Sequence, residues 1–141
     1  MAQAARDGAS DVEDVDVVWK RAQDAGVNDL LACSALLVAT SENFGSLSGM
    51  TKDFFERVFY PCEHAVEGKP YPVIVCAGND GAGAMLHTDR IATGLSLRKV
   101  LPGIVWKSGV TAKPQLVPPE VLAQCRELGA TLAAGLAAGI Y

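Results

Sequence analysis

The stretch "LLVATSENFGSLSGMTKDFFERVFYP", from Leu36 to Pro61, decides the fold that we predict for this chain. It opens with a bare apolar run, continues through a polar segment broken by Gly45, and restarts as an amphipathic sequence with apolar residues at helical spacing. An apolar run without polar alternation is typical of a strand that is covered on both faces of a parallel sheet. The stretch therefore predicts a strand, a polar loop and a helix.

A second unit of the same kind follows in "YPVIVCAGNDGAGAMLHTDRIATGL", residues 71–95. Its apolar run predicts another buried strand, "GNDGAG" a glycine-broken loop, and the remainder a helix closed by Gly94. Farther along, "RKVLPGIVW" predicts a last strand that is bent or near the sheet edge, and "PPEVLAQCRELGATLAAGLAAG" a final helix. Strands that alternate with helices predict an α/β fold with a doubly wound parallel sheet.

The amino-terminal third carries weaker signals. "AQAARDGA" is typical of the last turns of a helix that stops at Gly8, and "EDVDVVWKRA", residues 13–22, alternates like a half-exposed edge strand. Asn28 is a candidate N-cap for a short helix, and Pro61 is expected to stop the helix that precedes it.

Composition narrows the class of protein. The chain has 141 residues, half of them hydrophobic, and a net charge of −4, which indicates one globular domain over residues 1–141. Lysine and arginine are scattered singly, so no nucleic-acid partner is expected. The apolar tail "LGATLAAGLAAGIY" is shorter than the roughly 20 residues that cross a bilayer, so no membrane partner is expected and the tail predicts a tightly packed helix.

The number and spacing of the cysteines and histidines argue against a metal site. The four cysteines lie far apart without a C-x-x-C pair, which excludes a zinc ribbon, and with only two histidines no metal site is expected. No signal peptide is recognised, so the expected location is the cytoplasm.

The two predicted loops form the candidate site, because ligands of such sheets bind beyond the carboxyl ends of the strands. Glycines let the backbone approach a flat ligand, asparagine offers an amide and Phe44 offers an aromatic surface. Glu42 and Asp80 would repel a phosphate, so the loops favour a neutral planar heterocycle. The predicted contacts are Thr40, Ser41, Glu42, Asn43, Phe44, Gly45, Gly78, Asn79, Asp80 and Gly81. No side chain is predicted to be catalytic.

These residues carry a resemblance. "ATSENFGSLSGMTKDFFERVFYP" followed by "YPVIVCAGNDGAGAMLHTDRIATGL" resembles the flavodoxin-like fold in its NAD(P)H-dependent FMN reductase and flavodoxin branch, over about residues 12 to 106. The resemblance implies a three-layer α/β/α domain with FMN as cofactor. It places Thr40 to Ser46 along one side of the isoalloxazine and Gly78 to Gly83 at its pyrimidine edge. It also implies NAD(P)H as electron donor and a quinone or other small molecule as acceptor, with the flavin performing the redox chemistry.

The beginning of the sequence departs from that family, which opens with an apolar strand and a Ser/Thr-rich loop for the FMN phosphate. Residues 1–10 resemble the end of the helix that follows this loop. We therefore expect the domain to be N-terminally incomplete, with the first strand missing between "VDVVWK" and "LLVAT" and with weaker FMN binding as a result.

Three functional interpretations stay open at this stage. The first is an FMN-binding oxidoreductase, the second a flavin-free structural or interaction domain that keeps only the sheet, and the third an electron-transfer flavodoxin that serves a protein partner. A homo-oligomer is compatible with all three. Asp80 is predicted to be an N-cap rather than a catalytic group, and Phe44 to be either a flavin contact or a core residue. His87, on the helix after the second loop, is predicted to be an exposed residue rather than an acid or base.

Overall fold

The computed structural model describes residues 1–110, 113 and 115–141. The helices are α1 (Ala2–Ser10), α2 (Val27–Ala32), α3 (Gly49–Cys62), α4 (Ala82–Gly94) and α5 (Pro119–Ala137). The strands are β1 (Val38–Asn43), β2 (Ser46–Leu47), β3 (Pro70–Tyr71), β4 (Val73–Ala77), β5 (Arg98–Lys99) and β6 (Ile104–Lys107).

The main sheet has the strand order β2-β1-β4-β6. β4 pairs in parallel with β1 on one side and with β6 on the other, while β2 folds back antiparallel on the last residues of β1. The short strands β3 and β5 form a separate parallel pair. β3 lies just before β4 in the sequence, and β5 lies just before β6. β6 lies at the end of the sheet and is separated from β5 by Pro102 and Gly103, so the prediction of a bent edge strand is confirmed.

Apolar side chains cover the sheet on both faces. One core joins Val38, Val73 and Val75 of the sheet to α2, α3 and α4, and a smaller core joins Ile74 to α1 and α5. Alternate residues of a strand point to opposite faces, which is why Ile74 and its neighbours serve different cores. The predicted doubly wound α/β fold with three layers is confirmed.

Helix α3 is stabilised by a buried apolar face, a serine N-cap and ion pairs on its exposed face. Its apolar positions Phe54, Phe55 and Val58 are buried, and Ser48 caps the amino end by accepting a hydrogen bond from the backbone N–H of Thr51. The exposed face carries i,i+4 pairs between Lys52 and Glu56 and between Asp53 and Arg57. Pro61 lies inside the last turn, because a helix that ends at Cys62 loses only one hydrogen bond there. The prediction that the helix stops before Pro61 is therefore wrong by two residues.

Helices α1 and α5 pack at glycines. A Cβ atom added to Gly8 would lie 2.0 Å from the carbonyl oxygen of Arg126, and one added to Gly129 would lie 1.9 Å from that of Ala5. The close approach confirms the prediction of a tightly packed final helix. It also corrects the interpretation of Gly8, which lies within α1 and marks a helix contact rather than a helix end.

Two predictions for the amino-terminal third are wrong. Residues 15–21 form no strand, although their alternation is that of one. A strand requires a hydrogen-bonded neighbour, and this segment pairs with none in the described part of the chain. Helix α2 is capped by Gly26 rather than Asn28, with the Asp29 carboxylate accepting a hydrogen bond from the Gly26 N–H at 2.9 Å.

Two basic side chains tie this third to the rest of the domain. Arg57 of α3 donates to the carbonyl oxygens of Ala22 and Ala25, both at 2.8 Å. Lys69 donates from its ammonium to three carbonyl oxygens at the end of α2, those of Leu30, Leu31 and Cys33, at 2.7 to 2.9 Å. These cations satisfy carbonyl groups that a short helix and a turn leave without intrahelical partners.

Membrane-spanning helices and metal-binding clusters are both absent from the described residues. None of the helices there is long and apolar enough to cross a membrane. Nor does that part of the chain bring three or more histidine, cysteine, aspartate or glutamate residues together in an arrangement that could hold a metal ion.

Candidate functional site

The first predicted loop is a β-hairpin rather than an irregular connection. Strand β1 continues to Asn43 and pairs there with Ser46. The two residues between them, Phe44 and Gly45, have φ values of 53° and 70°. Positive φ at both central positions is the mark of a tight type I′ turn, whose twist suits a hairpin. Of the predicted loop, Thr40 to Asn43 and Ser46 are therefore strand residues, and only Phe44 and Gly45 form the turn.

Phe44 stands at the tip of this hairpin with its side chain fully exposed. A left-handed conformation is unusual for a residue other than glycine or asparagine and costs on the order of 1 kcal/mol. Full exposure means that burial in the fold does not offset this cost. The alternative of Phe44 as a core residue is thus wrong, and its left-handed backbone conformation makes no contribution to the core.

Glu42 connects the hairpin to the second loop. Its carboxylate accepts hydrogen bonds from the backbone N–H groups of Gly81, Gly83 and Ala84 at 3.1, 3.0 and 3.3 Å. These groups belong to the amino end of α4, which has no intrahelical acceptor for them and which attracts negative charge. Glu42 thereby occupies the place where an anion would otherwise bind.

Close backbone contact holds the hairpin on the first turns of α4. A Cβ atom added to Gly83 would lie 1.9 Å from the carbonyl oxygen of Gly45. The Ser46 hydroxyl also hydrogen-bonds the Nδ1 atom of His87 at 2.9 Å. The structure thus brings the two predicted loops together. The role of His87 was missed, since nothing in the sequence links it to Ser46.

The glycines of the second loop serve different purposes. Gly81 has a φ of 73°, and an added Cβ atom would lie 2.4 Å from Cγ1 of Val105, so packing and backbone geometry both require glycine there. Gly78 has room, because an added Cβ atom would meet Val110 at an ordinary distance of 3.5 Å. Gly78 therefore has room for a methyl group in contact with Val110 and with the carbonyl oxygen of Gly109, whereas Gly81 has none.

The polar residues of the two loops differ in whether their side chains are hydrogen-bonded within the fold. Asp80 accepts a hydrogen bond from the backbone N–H of Ala82 at 2.9 Å, which is the capping role considered for it. Asn79 is exposed beside it. In the first loop, Thr40 is buried and its hydroxyl accepts from the Ser48 N–H at 3.1 Å, while Ser41 donates to Asn43 at 3.3 Å. Thr40 thus fixes the start of α3, whereas the side chain of Asn79 is exposed to solvent.

A third segment meets the second loop at the end of β6. Ser108 donates to the carbonyl oxygen of Ala77 from its backbone N–H at 2.8 Å and from its hydroxyl at 3.1 Å. Val110 follows with 83% of its surface exposed, close to Gly78. Sequence reasoning missed this segment, because neither residue belongs to a recognisable motif.

A cavity of about 1070 Å³ lies beside β1, between this strand and residues 14–22. Thr40 and Ser41 line it, whereas Asn43, Phe44, Gly45 and residues 78–81 lie outside its walls. The predicted contacts therefore fall into two groups, the strand residues Thr40 and Ser41 that border the cavity and the remaining residues outside it, of which Gly81 is buried.

Comparison with solved structures identifies the architecture. A flavodoxin from the domain Archaea superposes with a TM-score of 0.70 at 16% identity, over 96% of this chain and 87% of that chain. The two-electron reduced flavodoxin of Megasphaera elsdenii gives 0.71 at 16% identity, over 94% and 88%. The fold is flavodoxin-like.

The same fold recurs inside a larger protein. The flavodiiron protein of Giardia intestinalis superposes with a TM-score of 0.77 at 18% identity, covering 97% of this chain and 32% of that one. The chain thus spans about a third of the length of that protein. No family model matches the sequence, and the comparison with curated proteins gives no match.

Proposed function

We propose that this chain is a flavin-binding electron-transfer domain that holds the isoalloxazine ring of FMN at the carboxyl edge of its sheet. The observation that carries the proposal is the pairing of a fully exposed Phe44, in a left-handed conformation at a hairpin tip, with a glycine-containing loop seated against the same hairpin. An aromatic side chain and backbone groups next to Gly78 suit a flat, uncharged ring.

The residues fit the ring better than the phosphate. Asn79 is exposed, and its amide and the backbone beside Gly78 offer hydrogen-bonding groups to a planar ligand. Glu42 occupies the amino end of α4, and Asp80 adds a second carboxylate in the same loop. FMN, when bound, supplies the hydride and electron chemistry, and the residues of this chain bind and orient its ring.

The direction of electron flow is the finer part of the proposal. We propose NAD(P)H as donor and a quinone or other small molecule as acceptor on the strength of the sequence resemblance, and the cytoplasm as the location. The similar structure of a flavodoxin in its two-electron reduced form supports electron transfer as the general activity.

Flavin titration tests the proposal. Riboflavin and FMN are each titrated into the purified chain, and the quenching of flavin fluorescence gives the two dissociation constants. Because the ring rather than the phosphate makes the contacts, we expect both ligands to bind with affinities within about tenfold of each other, a difference of about 1.4 kcal/mol. Stopped-flow reduction of the bound flavin by NADH and NADPH then identifies the donor.

A matched pair of variants assigns the binding to the site. Phe44→Asn removes the exposed aromatic ring from the hairpin, whereas Tyr60→Asn removes one that is 80% exposed on α3. We expect the first variant to weaken riboflavin binding and the second to leave it unchanged. A chain that binds neither flavin would contradict the proposal and favour a flavin-free interaction domain.

A further inference from the structure

A second, smaller cavity of about 290 Å³ lies on strand β2 of the hairpin. Its walls come from three elements that are distant in sequence, namely β2, the first turn of α3 and the middle of α4. This β2 groove is lined by Ser46, Leu47, Lys52, His87, Arg90 and Ile91. Its volume is at the lower end of the roughly 300–1,000 Å³ that is common for small-molecule sites, so only a small ligand fits it.

Two of the residues that line the β2 groove are apolar and belong to the core. Leu47 is 4% exposed, and Ile91 is partly buried and packs against the larger core. Arg90 and Ile91 follow His87 by three and four residues, which places all three on one face of α4. Apolar surface next to charged and polar side chains suits a ligand that has an apolar body and a charged end.

The charged side chains that line the β2 groove are positive. They are Lys52 and Arg90, and none of the described residues that line the groove is acidic. Lys52 pairs with Glu56 at 2.6 Å, one helical turn farther along α3. Arg90 is exposed and forms no hydrogen bond or ion pair with any residue in the described part of the chain. The groove thus carries one uncompensated positive charge, in a chain whose net charge is −4.

The imidazole of His87 adds a polar group that a hydrogen bond holds in place. Its Nδ1 atom lies 2.9 Å from the hydroxyl oxygen of Ser46. When that hydroxyl donates to Nδ1, the ring proton is on Nε2, and Nε2 also carries a proton in the imidazolium form. Nε2 has no partner among residues 1–110, 113 and 115–141, so in both forms it is a donor that an oxygen atom of a ligand can accept from.

We propose that the β2 groove binds a small carboxylate that is carried on an apolar body. The guanidinium of Arg90 binds the carboxylate, because its planar fork of N–H groups matches the two oxygen atoms. Nε2 of His87 supplies a further donor, and the apolar body lies on Leu47 and Ile91. A carboxylate fits better than a dianionic phosphate, because Arg90 alone among the described lining residues carries a charge that the fold leaves unpaired. The proposal does not depend on flavin binding.

Titration of benzoate into the flavin-free chain tests the proposal. Benzoate is the probe because it joins one carboxylate to a small apolar ring. The pH and the ionic strength are kept constant, since salt screens exposed charges. The chain has two histidines, and the ring signals of both are followed by NMR. We expect the signals of His87 to shift and saturate, whereas those of His64, which is exposed and hydrogen-bonded to Glu67, should not change.

Further probes separate the carboxylate from the ring. Benzamide has nearly the shape of benzoate but no charge, and we expect it to give no saturating shift at His87. Acetate has the carboxylate without the ring, so it buries less apolar surface and should bind about fivefold more weakly than benzoate. Inorganic phosphate should also bind more weakly. Equal affinities for benzoate and any one of these probes would overturn the proposal.

A matched pair of arginine variants assigns the binding to the groove. Arg90→Gln removes the unpaired cation, and we expect it to weaken benzoate binding by about fivefold or more. Arg98→Gln removes an exposed cation from β5, outside the groove, and should leave the binding unchanged. Both variants alter the net charge of the chain equally, so a difference between them reports the position of the charge.

A second pair of variants should increase the affinity in one case only. Glu56→Gln releases Lys52 from its ion pair, and the freed ammonium should strengthen benzoate binding by about two- to threefold. Asp53→Asn breaks the neighbouring pair with Arg57, which does not line the groove, and should have no effect. All four substituted side chains are exposed, so each variant is expected to keep the fold.

Several results would contradict the carboxylate site. It is overturned if the signals of His87 do not saturate with benzoate, or if those of His64 shift by as much. It is equally overturned if Arg90→Gln binds benzoate as Arg98→Gln does, or if Glu56→Gln and Asp53→Asn have the same effect. Flavin binding is measured in a separate titration, so its failure would leave the benzoate result unaffected.

Discussion

Oε1 of Glu42 on β1 accepts a hydrogen bond of 3.0 Å from the backbone N–H of Gly83 in the first turn of α4, across 41 residues of sequence. The same carboxylate reaches Gly81 and Ala84. One side chain thus fixes the distance between the hairpin and the second loop. Since both loops belong to the proposed site, any ligand that they share depends on this carboxylate even without touching it.

Replacing Glu42 should therefore destabilise the domain. Glu42→Ala leaves the N–H groups at the start of α4 without their acceptor, and we expect it to lower the free energy of unfolding by about 2 kcal/mol. Glu42→Gln keeps one acceptor oxygen and should cost about half as much. Urea denaturation measures both. Glu56→Ala, which removes an exposed carboxylate from an i,i+4 pair, should cost at most about 0.5 kcal/mol. Equal losses for Glu42→Ala and Glu56→Ala would refute the role of Glu42.

A methyl group at Gly83 should separate the hairpin from α4. The added Cβ atom would lie 1.9 Å from the carbonyl oxygen of Gly45, so the backbone must move, and we expect Gly83→Ala to cost about 2 kcal/mol or more. Gly49→Ala is the matched control, since an added Cβ atom there meets nothing within 4 Å. That variant should be neutral or stabilising by up to about 1 kcal/mol. Thermal unfolding of the two variants distinguishes them.

The hairpin turn should become more stable when Phe44 is replaced by asparagine. Asn-Gly is the preferred pair for a type I′ turn, and the phenyl ring contributes no burial that could be lost. We expect Phe44→Asn to raise the free energy of unfolding by about 0.5–1 kcal/mol, as measured by urea denaturation. Its proposed effect on flavin binding has the opposite sign. A variant that is less stable would show that Phe44 supports the fold.

The stability of the domain should fall in alkaline solution because of Tyr71. Its buried hydroxyl donates to Asp89 at 3.0 Å, and both burial and the neighbouring carboxylate raise the pKa of Tyr71 above its usual value. A raised pKa in the folded chain adds to the free energy of unfolding, and this contribution is complete below the tyrosine pKa of the unfolded chain, about 10. As the pH rises above that value, the contribution is lost by up to about 1.4 kcal/mol per pH unit. Urea denaturation above about pH 10 should show this slope.

The variant Tyr71→Phe tests the assignment. It has no ionisable hydroxyl, so its stability should depend less on pH in the alkaline range, although it is less stable at neutral pH through the lost hydrogen bond. Asp89 keeps its ion pair with Lys99 at 2.6 Å, so the carboxylate is not left unpaired. The same alkaline slope in both chains would place its origin elsewhere.

The sequence predicts the fold where local pattern and tertiary structure agree. Strand β4 and helix α4 occur close to where "YPVIVCA" and the sequence after it predict them, because an apolar run followed by helical spacing has one interpretation in a parallel sheet. Residues 15–21 show the limit of the method. Their alternation is that of a strand, but pairing depends on a neighbour that local pattern does not supply.

The candidate site was predictable in location and not in detail. Rules for parallel sheets place ligands at the carboxyl ends of strands, which is enough to select both loops. The hairpin itself depends on the turn at Phe44 and Gly45, and the polar residues Ser41 to Asn43 hide the continuation of β1. The hydrogen bonds of Glu42 connect residues about 40 positions apart. No local pattern encodes contacts of that range.

The ammonium of Lys69, which donates to the carbonyl oxygens of Leu30, Leu31 and Cys33, makes the end of α2 sensitive to covalent modification. Acetylation would leave one amide N–H in place of three donors and would remove the positive charge. At most one of the three carbonyl groups would keep its partner, so α2 should fray from its carboxyl end. Limited proteolysis of the acetylated chain would report this as new cleavage near Cys33, and the variant Lys69→Gln, an approximate mimic of acetyl-lysine, should be cleaved at the same place.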